Sequence, residues 1–318
     1  MAILLTGATG FLGRHIYSRL EHSEHDILCL LRDVDPNYSS SYIVGEIDAE
    51  SDFSCALEGV DCVIHAAARV HIMNDQSINK LESFLEINTR GTANLARQAA
   101  QAGVKRFVFI SSVKVNGESS ILGEPFTYAD KRRPEDFYGQ SKSEAEEQLL
   151  ALAEETGLEV VIIRPTLVYG TGVKANFASL MNVVSKGFPL PFGLINSNKR
   201  SLVSVTNLVD LIVTCIEHPK AKNQVFLVSD DHDVSTSEMV KQMSVACGKK
   251  NFQLPVPAWC YKFVGKLLKK EDVVERLIGS LQVDISHTKK TLDWTPPQSL
   301  QDGFKETANY ILSKQGNK

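Results

Sequence analysis

The stretch TGATGFLG (6–13) follows an apolar run, Ala2–Thr6, and opens directly into an amphipathic segment, 11–21. Gly7, Gly10 and Gly13 punctuate it. Without a Cβ, glycine allows a tight turn and a close approach of backbone to a pyrophosphate. The start of the following helix offers unpaired N–H groups and a partial positive charge. At a first strand-to-helix junction this spacing points to a bound dinucleotide, with Thr9, Phe11 and Leu12 as further cofactor-binding candidates in the same loop.

Working outward, short apolar runs at 26–31, 42–47, 62–65, 106–111 and 159–163 alternate with helical patterns at 11–21, 78–102 and 136–156. Strands that alternate with helices pair in parallel through right-handed crossovers, so the pattern predicts an α/β fold with a doubly wound parallel sheet. Ligands of such sheets sit at the carboxyl ends of the strands. After about residue 170 the rhythm changes. A helix at 176–186, the turn GFPLPFG (187–193), a strand at 202–205 and a helix from Asn207, capped by that residue, come first. A strand at 225–228 and helices at 235–247, 258–268 and 301–312 follow. Residues 1–170 read as a dinucleotide-binding domain and 171–318 as a smaller mixed α/β substrate-binding lobe, packed intimately on the first with some exchange of chain.

The 318 residues carry 34 basic and 38 acidic side chains, a net charge of −4, and are 43% apolar. No global pull toward nucleic acid follows, and no basic and aromatic patch supports one. Six scattered cysteines show neither a CxxC pair nor metal-ligand spacing and read as reduced thiols. The first ten residues lack a basic n-region and a cleavage site, and no apolar run reaches membrane-spanning length. A cytoplasmic protein with no membrane span and no metal is expected.

The end of the second strand discriminates between dinucleotides, because an acid there bonds a ribose 2′-hydroxyl and a cation suits a 2′-phosphate. DILCLLRD (26–33) puts Leu31 at the acid position with Arg32 next, and Asp33 as the rival. The expectation is NADP(H), with NAD(H) as the alternative. Tyr138 and Lys142 lie one helical turn apart on one face, where an ammonium favours phenolate and tunes a general acid/base. Ser111 and Ser112 end the fifth strand, and a hydroxyl there can bond the same substrate oxygen. His65 and the small residues Ala66 and Ala67 close the fourth strand, where a flat cofactor can approach.

These residues, in this order, make the chain resemble the extended short-chain dehydrogenase/reductases of the nucleotide-sugar epimerase, dehydratase and reductase kind. The matching pieces are TGATGFLG, HAAA (65–68), Asn88 in EINTRGT, ISSV (110–113), YGQSK (138–142), RPTLVYG (164–170) and LDWTPPQSLQDGF (292–304). The resemblance implies a Rossmann-type sheet and a catalytic set of Ser112, Tyr138 and Lys142, with Lys142 also holding the nicotinamide ribose. It places Glu46 and Ile47 beside the adenine, Pro165 and Leu167 beside the nicotinamide, and His65, Ala66, Ala67, Asn88 and Ser111 along the cofactor. Asn176 and Phe177 match a segment that lies along a nucleotide diphosphate, and Arg200 a phosphate-binding arginine. ARVHIMND (68–75) resembles enzymes acting on acetamido sugars, which would bring Arg69 and His71 near substrate.

The family's 4,6-dehydratases carry an acidic pair where this chain has Ser112–Val113, which disfavours dehydration here. Leu31 stands where NAD-retaining 4-epimerases have an acid. The resulting expectation is an NADP(H)-dependent 4-ketoreductase of a UDP-(acetamido)-4-keto-6-deoxy sugar in surface polysaccharide synthesis. The alternative is a UDP-glucose or UDP-N-acetylglucosamine type 4-epimerase that keeps NAD. A reductase of non-sugar ketones and a non-catalytic dinucleotide sensor are lesser readings. Helices 78–102 and 139–156 resemble those that pair between family subunits, so a homodimer is expected. AWCYKFVGKLLKK (258–270) reads as a lobe helix with a solvated basic face, and a peripheral membrane contact is its second reading.

Overall fold

In the computed structural model, which describes residues 1–70 and 79–316, the apolar runs become strands β1 (Ala2–Thr6), β2 (Asp26–Leu31), β3 (Ser41–Ile43), β4 (Cys62–His65), β5 (Arg106–Ile110), β6 (Glu159–Pro165), β7 (Leu167–Tyr169), β8 (Arg200–Ser204), β9 (Gln224–Val228) and β10 (Asp233–Val234). The helices are α1 (Phe11–Leu20), α2 (Lys80–Leu85), α3 (Thr92–Gln101), α4 (Phe137–Thr156), α5 (Ala175–Ser185), α6 (Val205–Glu217), α7 (Thr236–Ala246), α8 (Ala258–Leu267), α9 (Glu271–Ile278), α10 (Ser286–Leu292) and α11 (Leu300–Gly316). The main sheet runs β3-β2-β1-β4-β5-β6-β9 and is parallel throughout.

Both faces of this sheet are apolar because successive residues of each strand feed different cores. Ile3, Leu5, Ile64, Val108 and Ile163 pack with Ile16 and Leu20 of α1 and Leu208 and Ile212 of α6. Leu4, Val63, Phe107, Phe109 and Ile162 pack with Leu95 and Ala96 of α3 and Leu149 of α4. Each such side chain contributes about 1.5–3 kcal/mol by leaving water, so strand register is strongly specified. The order reverses between β1 and β4, which opens a crevice at their carboxyl ends. The glycine loop and His65 stand at that crevice.

A second, three-stranded sheet, β10-β8-β7, carries a separate core of Phe177, Met181, Val240, Met243 and Phe304. The chain crosses between the two units: β9 pairs with β6, so the strand expected at 225–228 belongs to the main sheet. Tyr169 donates to Asp230 at 2.7 Å, and Asp230 in turn accepts from the Ser204 N–H and from Asn207. Trp294 of the LDWTPP stretch donates to Asp210 on α6 at 2.8 Å, which fixes the closing segment to the main sheet's helix layer.

Several local expectations are corrected. Ser204, not Asn207, caps α6, because its side chain accepts from the Asn207 N–H while the Asn207 amide is committed to Asp230 and Gln298. The strand expected at 42–47 stops at Ile43. The helix expected at 78–102 is broken by a π-helical turn at Glu86–Gly91, and Asn79 caps its first part. The strand at 106–111 ends one residue early, at Ile110.

Candidate active site

The backbone of the glycine loop is shaped for something flat and anionic. Gly7 has φ +72°, and a Cβ there would lie 2.6 Å from the Ala67 nitrogen, so the loop runs hard against the end of β4. A Cβ on Gly13 would lie 2.0 Å from the Gly7 carbonyl oxygen, which closes α1 onto the loop. Gly10 starts α1 with no side-chain cap and no acid in the first turn, so the helix's opening N–H groups face the crevice. This cradle fits a dinucleotide pyrophosphate, with Thr9, Phe11 and Leu12 along its rim.

At the adenosine end, Leu31 is buried and Arg32 is exposed, with Nη1 3.4 Å from Glu46 Oε1. Ile47 is buried, and its carbonyl oxygen would lie 2.4 Å from a Cβ on Gly91. The π turn therefore docks directly on the segment that carries Glu46 and Ile47. Inside that turn Asn88 accepts from the Arg69 N–H at 2.8 Å and donates to the Arg69 carbonyl and to Ser141, each at 3.0 Å. Thr89 donates to the Ser141 carbonyl at 2.8 Å. The extra residue of a π turn turns two neighbouring side chains toward α4, and π turns recur at functional sites. The Asn88 side chain thus clamps the post-β4 backbone at Arg69 to α4.

His65 is held at both ring nitrogens, by Thr6 at 2.7 Å and Thr92 at 2.9 Å. Its side chain joins β1 to α3 beneath the crevice, and it is the backbone of Ala66 and Ala67 that borders the loop. Burial, with the Lys142 charge added, pushes the imidazole down to about 3 from its ordinary 6.5. The unfolded chain therefore binds this proton between pH 6.5 and about 3 while the native protein does not, and native stability falls as pH drops through that window. Urea titrations of wild type and His65→Gln should show a shallower acid loss in the variant; equal slopes would remove His65 from the acid response.

β5 delivers two serines with different surroundings. Ser111 is buried and donates to Glu146 Oε1 at 2.5 Å. Ser112 is half-buried and accepts from the Lys114 N–H at 3.2 Å, which starts a short 3₁₀ turn, Val113–Val115. α4 begins against that turn: a Cβ on Gly139 would lie 2.8 Å from the Lys114 carbonyl oxygen. Asp136 caps α4 by accepting from the Gly139 N–H at 2.6 Å. Lys114 Nζ donates to Asp136 and, at 2.6 Å, to Glu118. The start of α4, which carries Tyr138 and Lys142, is thereby fixed against the turn that follows Ser112.

The charges in this corner differ from the sequence expectation. Lys142 Nζ donates to the Ile110 carbonyl at 2.8 Å and sits 4.4 Å above the Phe109 ring. Burial brings it down to about 7, against the opposing pull of Glu146. Tyr138, half-buried and edge-on to Phe84 at 6.4 Å, is pushed up to about 12 by burial and by the Asp136 carboxylate. The expected lowering of the Tyr138 phenol by Lys142 is absent in this arrangement, because the ammonium is turned toward β5.

In the second lobe, Arg200 is half-buried and donates to the Gly279 carbonyl at 3.2 Å. Burial and the nearby Arg276 guanidinium lower its pKa, and Glu118 opposes them. Arg276, on α9, reaches Glu118 at 3.4 Å. The Arg200 and Arg276 guanidiniums feel each other's charge, and Glu118, which opposes them, is already paired with Lys114 and Arg276, a field suited to a diphosphate. Phe177 stacks on Tyr169 at 5.1 Å and meets Phe304 edge-on, so its side chain is core. Asn176 lies in the first turn of α5. Pro165 ends β6, and Leu167 is exposed on β7. His71 lies outside the described residues.

Sequence reading missed Arg276, Lys114, Asp136 and Glu146. Asp136, three residues before Gly139, is a recognisable helix cap; the other three act across the fold and leave no local pattern. Among the described residues no cluster of His, Cys, Asp and Glu is arranged to hold a metal ion, and no helix is long and apolar enough to cross a membrane.

Residues 3–229 match the NAD dependent epimerase/dehydratase family. The chain belongs to that family and is an NAD(P)-dependent enzyme of the extended short-chain dehydrogenase/reductase type. It is 59% identical over 313 residues to a Vibrio cholerae protein named UDP-glucose 4-epimerase, covering 98% of this chain and 95% of that one. The fold superposes on the Thermotoga maritima UDP-glucose 4-epimerase with UDP-glucose at a TM-score of 0.78, with 21% identity over 99% of this chain and all of that one. The Bacillus cereus UDP-glucuronic acid 4-epimerase in complex with NAD gives a TM-score of 0.78 and 21% identity, covering 100% of both chains.

The Vibrio likeness overturns the expected 4-ketoreductase: 59% identity across nearly the whole chain is with an epimerase. The preference for NADP(H) also finds no support. Its basis, Arg32, is already opposed by Glu46, whose carboxylate a 2′-phosphate would meet as well.

Proposed function

We propose that this protein is an NAD-dependent 4-epimerase of a UDP-hexose, inverting the configuration at C4 of the sugar. The observation that carries this reading is the 59% identity over 98% of the chain to the Vibrio UDP-glucose 4-epimerase. Bound NAD would supply the chemistry, taking a hydride from C4 and returning it to the opposite face. The chain's own residues do the rest.

Gly7, Gly10 and Gly13 with the start of α1 hold the pyrophosphate. Leu31, Arg32, Glu46 and Ile47 border the adenosine, and the Arg32–Glu46 pair is suited to a free 2′-hydroxyl. With the Lys142 ammonium moved beside it, Tyr138 is held as phenolate, takes the proton of the sugar 4-hydroxyl at its oxygen and gives it back, and the Ser112 hydroxyl orients the same sugar oxygen. Lys142 swings from the Ile110 carbonyl to the ribose. Arg200 and Arg276 clamp the diphosphate, so the sugar is presented at a fixed distance from β5. Residues 1–170, completed by β9, act as the dinucleotide domain, and 171–318 as the lobe that selects the nucleotide sugar. α3 and α4 are read as the surface of a homodimer, measurable by light scattering.

The cofactor part is checked by fluorescence titration of the purified protein with NAD and NADP separately. NAD should bind about tenfold or more tightly. Tighter binding of NADP would sink the assignment and return Arg32 to the role of 2′-phosphate ligand.

A further inference from the structure

The α8–α9 hairpin presents two unlike sides. On the inside Gly265 packs on Val274, and α9 sends Arg276 toward Glu118. On the outside Trp259, Phe263 and Leu267 are 68%, 66% and 72% exposed. At 100° per residue these three fall within 80° of arc on α8, and Lys266 and Lys262 border the stripe on one flank. The apolar surface continues beyond the helix. Phe192 stacks on Tyr261 at 6.4 Å, and its loop pairs with 252–254, where Phe252 is exposed two residues after the exposed Lys250.

Between 249 and 270 the chain has six lysines and no acidic residue, within a protein whose net charge is −4. All six are exposed, and among the described residues none has a carboxylate within 4 Å. Exposed aromatic side chains edged by unpaired lysines are the arrangement of helices that lie in the interfacial plane of a bilayer, where ammonium groups meet anionic headgroups and rings enter the acyl boundary.

We propose that this face is a peripheral membrane-docking surface for anionic lipid. A second copy of the chain fits it poorly, because a two-fold contact would set lysine against lysine. A nucleic acid would leave the apolar stripe in water. The surface lies outside the residues assigned to catalysis and does not depend on the epimerase reading.

The test is flotation of the whole protein with phosphatidylcholine vesicles, with and without phosphatidylglycerol, while Trp259 emission is followed. The other of the two tryptophans, Trp294, is buried, so a blue shift reports α8. The protein should float with the anionic vesicles only, shift its emission, and come off at high salt. Lys262→Glu/Lys266→Glu should lower the partition coefficient about tenfold or more, and Phe263→Ser/Leu267→Ser should abolish the shift, both with NAD affinity unchanged. Failure to float with anionic vesicles, or equal flotation of the lysine variant, would overturn the proposal. So would self-association without lipid that Phe263→Ser/Leu267→Ser removes, since the face would then belong to a second copy.

Discussion

Tyr138→Phe is expected to lower the turnover of UDP-glucose about 10²–10⁴-fold, with NAD affinity and substrate KM changed little. In the proposed reaction the Tyr138 oxygen holds and returns the sugar's proton. His65 is neutral and bonded at both nitrogens, and in the proposed reaction Lys142 leaves the Ile110 carbonyl for the ribose and is committed there. Ser112 has no accessible ionisation near neutral pH to replace it. Phenylalanine keeps the ring that meets Phe84 edge-on, so the loss should appear in kcat and not in folding. Steady-state kinetics with a circular-dichroism control checks this. A variant within a few-fold of wild type would remove Tyr138 from proton transfer.

The second large effect lies two turns further along α4. Arg164 donates to Glu146 through Nε at 2.9 Å and Nη2 at 2.5 Å, with both side chains almost wholly buried. Glu146 also accepts from Ser111, and Arg164 donates to Asn116 at 3.1 Å. Removing one partner leaves a buried charge alone, so Glu146→Ala should cost about 3–5 kcal/mol of stability. Glu146→Leu/Arg164→Met, which replaces the pair by apolar bulk, should recover most of that loss. The Glu146 charge also raises the Lys142 pKa, so its removal should leave that amine still more neutral at pH 7. Denaturant titration decides the matter: a single variant within about 1 kcal/mol of wild type would mean that water or another group already compensates the pair.

What was legible in the sequence was local. The strand at β1, the glycine loop and the start of α1 are set by apolar periodicity and by glycine, and both act over a few residues. Ser112, Tyr138 and Lys142 stand at a strand end and one helical turn apart, so their positions followed once the alternation was read. What failed to show was non-local. β9 is an ordinary apolar run whose place beside β6 depends on a connection of about 60 residues. Glu146 and Arg164 carry no pattern, because the pair forms across α4 and β6. Arg276 became visible only when α9 brought it to Arg200 and Glu118. The cofactor expectation failed for a related reason. It weighed Leu31, Arg32 and Asp33 at the end of β2, while the charge that balances Arg32, Glu46, comes from the segment after β3. The reaction was misread because a reductase and an epimerase share the same serine, tyrosine and lysine.

The central claim is most directly tested by incubating the purified enzyme with UDP-glucose carrying deuterium at C4, in ordinary water with catalytic NAD, and following the sugar by NMR. The account predicts UDP-galactose with the deuterium still at C4 and no net build-up of reduced cofactor. Loss of the label to water, or conversion only with stoichiometric reduced nicotinamide, would contradict it.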